Sequence, residues 1–374
     1  MKPNISPHRP AAAVPPRQLS GPVAACVIAN PSAGRGDRRA ALEVAVERWR
    51  RRGWSVALHW TGGPGDAAAL ARTAAADGIE VVAVAGGDGT VNEVANGLAG
   101  SATALAVLPS GTANVLAAQL GLVRWPSPLR TPDLAAAADS LAAGVIRRVD
   151  LGLAEPAGRP GRYFLLWAGV GLDAAVAAAI EGPGRPLKER FGALGFAWVA
   201  LRSAMRERGG EAVVRIDGVR RRGRLHGIVL HNIPLYAGIV HLAPEARLDD
   251  GRLDAVVLMG DTQREALGAW LRAGHAASPG AFVRRVVLGR SAPHHPLAVP
   301  AEVVHVVGRP PQAVHVDAEP WGTTPVRFSV VPGALALVVP AGAPAALFQA
   351  GSKLGSRIAA GTFVRRRHPA AVDR

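Results

Sequence analysis

The sequence predicts two domains: an α/β domain in three layers with a parallel sheet, then a β-rich domain. From Val23 to Leu120, short apolar runs alternate with segments whose apolar residues recur at helical spacing, which indicates βαβ units. After about Val145 the pattern changes to β-like runs separated by turn signals. The length of 374 residues also suits two domains.

The elements of the first domain follow from its apolar periodicity. In the first expected helix, for example, Leu42, Val46 and Trp49 recur at helical spacing. The single cysteine, Cys26, lies in the first expected strand and is expected in the core, so no disulfide framework is possible. The expected strands are Val23–Ala29, Trp54–Trp60, Glu80–Ala85 and Ala104–Leu108. The expected helices are Asp37–Arg52, Asp66–Ala76, Thr90–Leu98 and Thr112–Leu120.

The second domain is predicted from β-like runs with helical insertions. Asp217-Gly218 signals a hairpin turn that opens a long loop. Arg220-Arg221-Arg222 is expected at the exposed tip of a hairpin, and contact with anionic headgroups is the alternative. The expected strands include Tyr163–Val170, Ala212–Ile216, Leu225–Leu230, Leu253–Leu258, Val303–Val307 and Val326–Val331. The expected helices are Lys188–Arg206 and Gln263–Ala276.

Composition also sets the domain boundaries. Residues 1–21 are rich in proline and lack periodicity, so a disordered leader is expected. The α/β domain is expected over 22–145, the β-rich domain over 146–340 and a basic tail over 341–374. The longest apolar run, Gly333–Phe348, is interrupted by Pro340 and Pro344 and is too short to span a bilayer. Without a signal-peptide core either, the protein is expected in the cytoplasm.

The charge balance points to an anionic partner. Lys and Arg number 43 against 28 Asp and Glu, which gives a net charge of +15. Nucleic acid, a nucleotide or an anionic membrane surface would each suit this charge, although an Ala/Arg-rich composition could produce it alone. Aromatic residues make up only 5% of the chain, which argues against stacking on single-stranded nucleic acid.

The strongest chemical motif is Gly86-Gly87-Asp88-Gly89-Thr90-Val91-Asn92-Glu93. It follows an apolar strand and opens a helix, so its backbone N–H groups and the helix N-terminus can hold a phosphate. An aspartate inside such a cradle requires a metal or an acceptor hydroxyl beside it, which points to phosphoryl transfer. The alternative is an ordinary glycine-rich turn in which Asp88 caps the helix.

Two further glycine turns repeat this geometry. Asn30-Pro31-Ser32-Ala33-Gly34-Arg35-Gly36 follows the first strand, and Pro109-Ser110-Gly111-Thr112-Ala113-Asn114 follows the fourth. Carboxyl ends of parallel strands meet at one edge of a sheet, where α/β proteins bind ligands. The three turns are therefore expected to form one site.

These motifs together resemble the diacylglycerol kinase catalytic domain family. Its members include bacterial lipid kinases and sphingosine and ceramide kinases, and NAD kinases are more distant relatives. The segments NPSAGRGD, GGDGTVNEVANGL and LPSGTANVLA carry the resemblance, which extends from about Val23 to Pro340. It implies an ATP-binding α/β domain, a sandwich-like lipid domain and an active site in the cleft between them.

The resemblance implies a role for each matching residue of the first domain. Asp88 would lie near Mg²⁺ or the acceptor, and Glu93 would close the site. The usual aspartate after Asn114 is replaced by Val115. The implied nucleotide contacts are Asn30, Gly34, Gly36, Thr61, Gly86, Gly87, Asp88, Gly89, Thr90, Val91, Asn92, Glu93, Gly111 and Thr112.

In the second domain the resemblance implies a metal site and a link between domains. Lys188 resembles a lysine of the charged network that joins the domains. The segment Leu248–Asp254 resembles a structural Mg²⁺ loop, in which Asp250 and backbone carbonyls near Arg247 and Arg252 would bind the metal. Taken alone, Asp249-Asp250-Gly251 is equally typical of a turn before a strand.

Asp317-Ala318-Glu319 stands where the family has Asp-Gly-Glu. If the segment is a strand, positions i and i+2 share a face and both carboxylates can enter the cleft. One would then act as the general base on the lipid hydroxyl, and mutual proximity would raise the pKa of one of them. Ala318 would be strained if the family glycine has a positive φ. An exposed acidic pair at a strand end is the alternative.

The sequence thus predicts an ATP- and Mg²⁺-dependent lipid kinase whose acceptor is a diacylglycerol-like or sphingoid lipid. Asp317, Glu319 and Asp88 are the candidate proton acceptors. The expected setting is the cytoplasmic side of an anionic membrane, with a homodimer possible and no specific nucleic acid partner. A kinase of a soluble acceptor such as NAD and a non-catalytic binding module are the alternatives.

Overall fold

The computed structural model describes residues 16–34, 38–111, 114–123, 132–181, 202–203, 208–236, 240–260 and 298–349. The first domain contains the parallel sheet that the sequence predicts. Its strands lie in the order Ser55–Trp60, Ala24–Ala29, Val81–Gly86 and Ala104–Pro109. Its elements are β1 Arg17–Gln18, β2 Ala24–Ala29, α1 Arg39–Arg51, β3 Ser55–Trp60, α2 Asp66–Ala76, β4 Val81–Gly86, α3 Asp88–Leu98, β5 Ala104–Pro109, α4 Val115–Gln119 and α5 Leu134–Ala142.

The parallel sheet is buried on both faces, which explains its continuous apolar strands. Successive residues of β2 alternate between the two cores, so Val27 packs with α1 and α5 while Ile28 packs with α2, α3 and α4. Cys26 shares the core of Ile28, as expected, and burial raises the pKa of its thiol. Helices on both faces give the three layers predicted.

Two helix starts differ from the sequence prediction. Helix α3 begins at Asp88 rather than Thr90, with Gly87 as its extended N-cap residue. Helix α4 begins at Val115 rather than Thr112, because Asn114 adopts a left-handed conformation with φ of 52°.

The second domain is a two-layered β structure, in agreement with the predicted sandwich. One core lies between its layers and includes Phe164, Leu230 and Phe328. The elements are β6 Val145–Pro156, β7 Arg162–Phe164, β8 Trp167–Gly171, α6 Leu172–Glu181, β9 Gly210–Ile216, β10 Val219–His231, β11 Leu235–Tyr236, β12 Val240–His241, β13 Leu253–Met259, β14 Val299–Ala301, β15 Val303–Arg309, β16 Ala313–Val316, β17 Glu319–Thr323, β18 Val326–Val339 and a 3₁₀ turn, Ala345–Leu347.

Strand β10 connects the two layers. Its first half pairs with β9, and its second half pairs with β8 and β13. The register shifts between Leu225 and Gly227, where the strand passes from one layer to the other. A single strand therefore contributes to both sides of the core.

The Asp217-Gly218 turn is tighter than predicted. Val219 pairs with Ile216, so the loop contains two residues, with φ of 45° at Asp217 and 84° at Gly218. The expected long loop with Arg220–Arg222 at its tip is wrong. Those arginines are exposed but belong to β10, where they pair with β9 directly after the turn. Asp217 anchors the turn by accepting hydrogen bonds from the backbone of Glu302 and Val303.

The two ends of the described part of the chain also differ from the expected boundaries. The expected leader covers residues 1–21, but Arg17–Gln18 pairs with β6 and Leu19 is buried. At the other end, Leu347 and Phe348 are buried although they lie in the expected tail. The expected helices Lys188–Arg206 and Gln263–Ala276 lie outside the described residues, apart from helical residues 202–203.

Strands β6 and β18 join the domains. They pair along almost their whole length, and β18 also pairs in parallel with β5 of the first sheet. The register breaks between Val331 and Leu335, where Gly333 has φ of 60°. Asp150 of β6 lies at this break and accepts hydrogen bonds from Gly333 N and Gly251 N, at 2.7 and 2.6 Å.

We predict a loss of stability in acid that depends on His231. This side chain is fully buried, with Trp167 opposite and Tyr236 nearby, and burial lowers its pKa to about 4. The unfolded chain binds the proton near pH 6.5 and the folded chain only near pH 4, so stability falls as pH decreases between these values. From pH 7 to 5 the contribution is about 2 kcal/mol.

The measurement is denaturant unfolding of the wild type and of His231→Phe at both pH values. Phenylalanine does not titrate, so the variant is expected to lose about 2 kcal/mol less than the wild type between pH 7 and 5. Equal losses in the two proteins would show that His231 is not held neutral by burial.

Candidate active site

The three glycine turns meet at the carboxyl ends of β2, β4 and β5. Gly111 N donates to Gly86 O at 3.1 Å, and a Cβ on Gly111 would lie 2.5 Å from Gly87 Cα. Gly34, with φ of 83°, approaches the Ser110 carbonyl so closely that a Cβ there would overlap it. Bare backbone therefore lines this edge, as a phosphate cradle requires.

A small pocket of about 20 Å³ opens beside these turns. The Ser110 hydroxyl in its wall is buried and has no hydrogen-bond partner among the described residues, so the wall offers a polar atom to a ligand. The side chains of Trp60 and Arg38 form part of the opposite wall. Both the cradle and the hydroxyl fit a phosphorylated nucleotide.

Asp88 and Asn30 hold the turns together. One oxygen of Asp88 accepts a hydrogen bond from Val115 N at 2.9 Å, so this carboxylate caps α4 and not its own helix. Asn30 Nδ2 donates to Thr90 Oγ1 at 3.1 Å, and Asn30 N donates to Ala85 O. Asp88 nevertheless stays at the start of α3, next to the cradle.

Val91 and Asn92 do not face the cradle. Helical periodicity turns Val91 into the apolar core and Asn92 toward the second domain, where it is 1% exposed. Their side chains therefore do not line the cradle, and the prediction that these two residues contact the nucleotide would have to be met by their backbone. Glu93 lies on the outer side of α3, where both its oxygens accept from Gly65 N at 3.0 Å, and Thr61 follows β3 at the same edge.

Asp317 and Ala318 form a hairpin turn, not a strand. Val316 pairs with Glu319, and the two turn residues have φ of 45° and 69°. The expectation of a shared strand face is therefore wrong. Ala318 takes the strained left-handed conformation that was expected if the family glycine has a positive φ.

The Asp317 carboxylate is saturated with hydrogen bonds. Its Oδ1 accepts from the backbone N–H groups of Leu166 and Trp167, both at 3.0 Å. Its Oδ2 accepts from Leu165 N at 2.9 Å and Asn92 Nδ2 at 2.6 Å. Burial raises the pKa of Asp317, and these four bonds oppose that rise. A carboxylate has about four acceptor positions, so none is left for a substrate proton.

Glu319 has a different environment. Its Oε2 pairs with Arg162 Nη2 at 2.6 Å, and its side chain is 44% exposed. A Cβ on Gly89 would lie 2.7 Å from Glu319 Oε1, so this oxygen rests against the phosphate cradle. Glu319 is the carboxylate that the structure leaves accessible beside the cradle.

Arg162 is a site residue that the sequence reading missed. It donates to Asn92 Oδ1 through Nε at 3.0 Å and Nη2 at 2.7 Å, and it stacks on Trp321. It thus joins Asn92, which binds Asp317, to Glu319. In a chain with 43 basic residues, nothing in the sequence marks this one.

His315 supports the hairpin from below. Its Nδ1 accepts from Ala318 N at 3.2 Å, and its Nε2 bonds to Asp173 Oδ2. Tyr236 donates to the other oxygen of Asp173. A Cβ on Gly169 would overlap Asp173, so a glycine is needed where β8 passes this network.

The loop expected to bind Mg²⁺ contains crowded carboxylates. Burial, together with the nearby charge of Asp250, raises the pKa of Asp150 to about 7 and that of Asp254 to about 6. Burial also raises the pKa of Asp249 and Asp250. Such a loop fits a cation, although the described residues contain no three His, Cys, Asp or Glu side chains grouped to hold one. One carboxylate with backbone carbonyls near Arg247 and Arg252 remains the expected set.

Three expected site residues lie outside the described ranges. They are Gly36 in the first turn, Thr112 in the third turn and Lys188 in the link between domains.

A glycine-lined phosphate cradle facing an accessible carboxylate across a domain cleft is an arrangement typical of kinases. Residues 24–154 match the diacylglycerol kinase catalytic domain, and residues 167–339 match the YegS C-terminal NAD kinase beta sandwich-like domain. The chain belongs to the diacylglycerol kinase catalytic domain family and is a kinase of the lipid kinase type.

Two relatives illustrate the family. A Pseudomonas aeruginosa (strain UCBPP-PA14) protein named "Probable lipid kinase YegS-like" is 30% identical over 323 residues, covering 85% of this chain and 94% of the relative. The "Diacylglycerol kinase" of Bacillus subtilis (strain 168) is 30% identical over 234 residues, covering 62% of this chain and 72% of the relative.

Solved structures share the fold. The crystal structure of a diacylglycerol kinase from Bacillus anthracis str. Sterne matches with a TM-score of 0.58 and 21% identity, covering 86% of this chain and 98% of that chain. A second structure from the same organism matches with a TM-score of 0.66 and 23% identity, over 85% and 97%. Within the described ranges, no helix has the length and apolar character to cross a bilayer.

We predict that Ala318→Gly stabilises the protein. A left-handed alanine costs about 1 kcal/mol, and glycine removes this cost, so the free energy of unfolding is expected to rise by about that amount. Ala313→Gly, at an exposed position of β16 in the same hairpin, is the control and is expected to destabilise by about 0.5–1 kcal/mol. Denaturant unfolding measures both, and a loss of stability in Ala318→Gly would contradict the strain.

Proposed function

We propose that this chain is an ATP- and Mg²⁺-dependent lipid kinase that phosphorylates the hydroxyl of a diacylglycerol-like or sphingoid lipid. The observation that carries the proposal is the position of Glu319 Oε1 against Gly89 of the phosphate cradle. A base next to the γ-phosphate is what transfer to a hydroxyl needs. Membership of the lipid kinase family supports a lipid as the acceptor.

In this proposal Glu319 is the proton acceptor and Asp317 a positioning residue. As the lipid oxygen bonds to the γ-phosphorus, the bond from that phosphorus to the β,γ-bridging oxygen breaks and the hydroxyl proton moves to Glu319 Oε1. Arg162 holds Oε2 at 2.6 Å and so keeps the other oxygen directed to the cradle. Asp317 cannot take this role while four donors occupy it.

The cradle residues bind and orient the nucleotide. The N–H groups at the start of α3 and the bare backbone of Gly86, Gly87, Gly89 and Gly111 would hold the phosphates, with Asn30 and Thr90 fixing the turns. Mg²⁺ bound with the nucleotide would neutralise charge that develops on the phosphates, near Asp88. A second Mg²⁺ would be held by Asp250 and the backbone near Arg247 and Arg252.

We predict that Glu319→Gln reduces kcat by about 100-fold or more without loss of stability. The amide keeps a similar shape but cannot accept the proton, and general bases contribute at least about 100-fold. Transfer of label from γ-labelled ATP to lipid measures activity in vesicles containing diacylglycerol, sphingosine or ceramide. Glu43→Gln, an exposed site on α1, is the matched control.

Asp317→Asn is expected to lose stability, whereas Glu319→Gln is expected to lose activity alone. An asparagine must place its NH₂ group against backbone N–H donors, so the variant is expected to lose about 2 kcal/mol or more of stability. Melting temperatures therefore separate the two roles. A stable but inactive Asp317→Asn together with a fully active Glu319→Gln would reverse the assignment.

We predict that Mg²⁺ raises the melting temperature in the absence of nucleotide. Binding to the folded chain alone adds about 2.7 kcal/mol at a concentration 100 times the Kd. Asp250→Asn is expected to abolish the rise, whereas Asp77→Asn, at the exposed end of α2, is expected to retain it. An unchanged rise in Asp250→Asn would place the cation elsewhere.

A further inference from the structure

One face of the second domain carries an unusual density of arginine. Strands β9, β10 and β15 lie side by side, and alternate residues of each point away from the core. We call the exposed outward residues of these strands the basic face. They are the arginines Arg215, Arg220, Arg222, Arg224 and Arg309, together with His305, Val307 and Glu211.

The register of the strands places like charges directly opposite one another. Arg215 of β9 lies directly opposite Arg220 of β10. Directly opposed like charges destabilise a sheet. In the part of the chain that the structure describes, neither Arg215 nor Arg220 forms an ion pair. The arrangement therefore costs stability unless an external anion compensates it.

An exposed valine lies among these cations. Val307 is 44% exposed and lies in the same cross-strand row as Val213 and Arg222. Glu211, between Arg224 and Arg309, is the single carboxylate on the outward positions of β9. Cations mixed with small apolar side chains suit the interface of an anionic bilayer.

The same face extends toward the active site. Arg327 of β18 lies opposite His305, and Glu155 of β6 lies opposite Arg327 and pairs with it at 2.7 Å. Neighbouring strands are about 4.8 Å apart, so Arg220 and Glu155 are separated by about 20 Å. The chain after Glu155 turns through Arg159, which stacks on Trp321 two residues beyond Glu319.

We propose that the basic face docks on an anionic lipid bilayer and brings the cleft to its lipid substrate. This inference rests on the proposed lipid kinase function. It favours a membrane over nucleic acid because the outward positions of the three strands carry no Phe, Tyr or Trp ring on which bases could stack. A membrane presents many anions across a flat area, which matches charges spread over three strands.

The test measures sedimentation of the full chain with vesicles, without ATP, at physiological ionic strength. The wild type is expected to sediment with phosphatidylcholine vesicles containing phosphatidylglycerol and not with pure phosphatidylcholine. The double variant Arg215→Glu/Arg222→Glu is expected to bind about tenfold more weakly or worse. The matched control Arg51→Glu/Arg72→Glu makes the same change in net charge at exposed helix positions of the first domain and is expected to bind like the wild type.

Three outcomes would overturn the docking face. The two double variants could lose binding equally, which would show that net charge alone acts. The wild type could ignore anionic vesicles, or it could bind an RNA oligomer and no vesicle. Lipid phosphorylation by the wild type in detergent micelles, measured separately, distinguishes a failure of docking from a failure of the proposed function.

Discussion

The geometry of the site depends on the four hydrogen bonds that the buried Asp317 carboxylate accepts. Three consecutive backbone N–H groups, from Leu165 to Trp167, bind it and therefore cannot continue a strand ladder. This explains why the single strand expected over 163–170 is divided into β7 and β8. The fourth donor, Asn92, comes from the helix that begins at the phosphate cradle. One carboxylate thus fixes a hairpin, a strand break and a helix of the other domain.

Asn92 and Arg162 extend this connection to the accessible carboxylate. The Asn92 side-chain NH₂ donates to Asp317, and the Asn92 side-chain oxygen accepts a hydrogen bond from Arg162. Arg162 in turn forms an ion pair with Glu319. A shift of either domain would break several charged hydrogen bonds together, and such bonds are about twice as strong as neutral ones. The phosphate cradle and the Glu319 carboxylate are therefore positioned by the same set of contacts.

The sequence predicts the regular part of the molecule well and the special conformations poorly. The parallel strands around Val27 and Val84 read correctly because burial on both faces leaves an apolar run. The glycine turns were found because their spacing after strands is distinctive. The hairpin at Asp317-Ala318 is not predicted, because a positive φ is usually marked in a sequence by glycine and this turn contains none. Arg162 and His315 act through contacts distant in sequence, which no local pattern contains.

A second buried carboxylate, that of Asp150, lies at the register break where β18 passes from one domain to the other. Asp150 accepts from Gly333 in the break of β18 and from Gly251 in the loop expected to bind Mg²⁺. Arg147 and the backbone of Gln349 bind the neighbouring Asp249, so the end of the described chain closes over this loop. Because burial raises the pKa of Asp150 to about 7, its ionised form is poorly stabilised by the protein alone. A cation in the adjacent loop would favour that form, and would couple metal binding to the bend that carries β18 from one domain to the other.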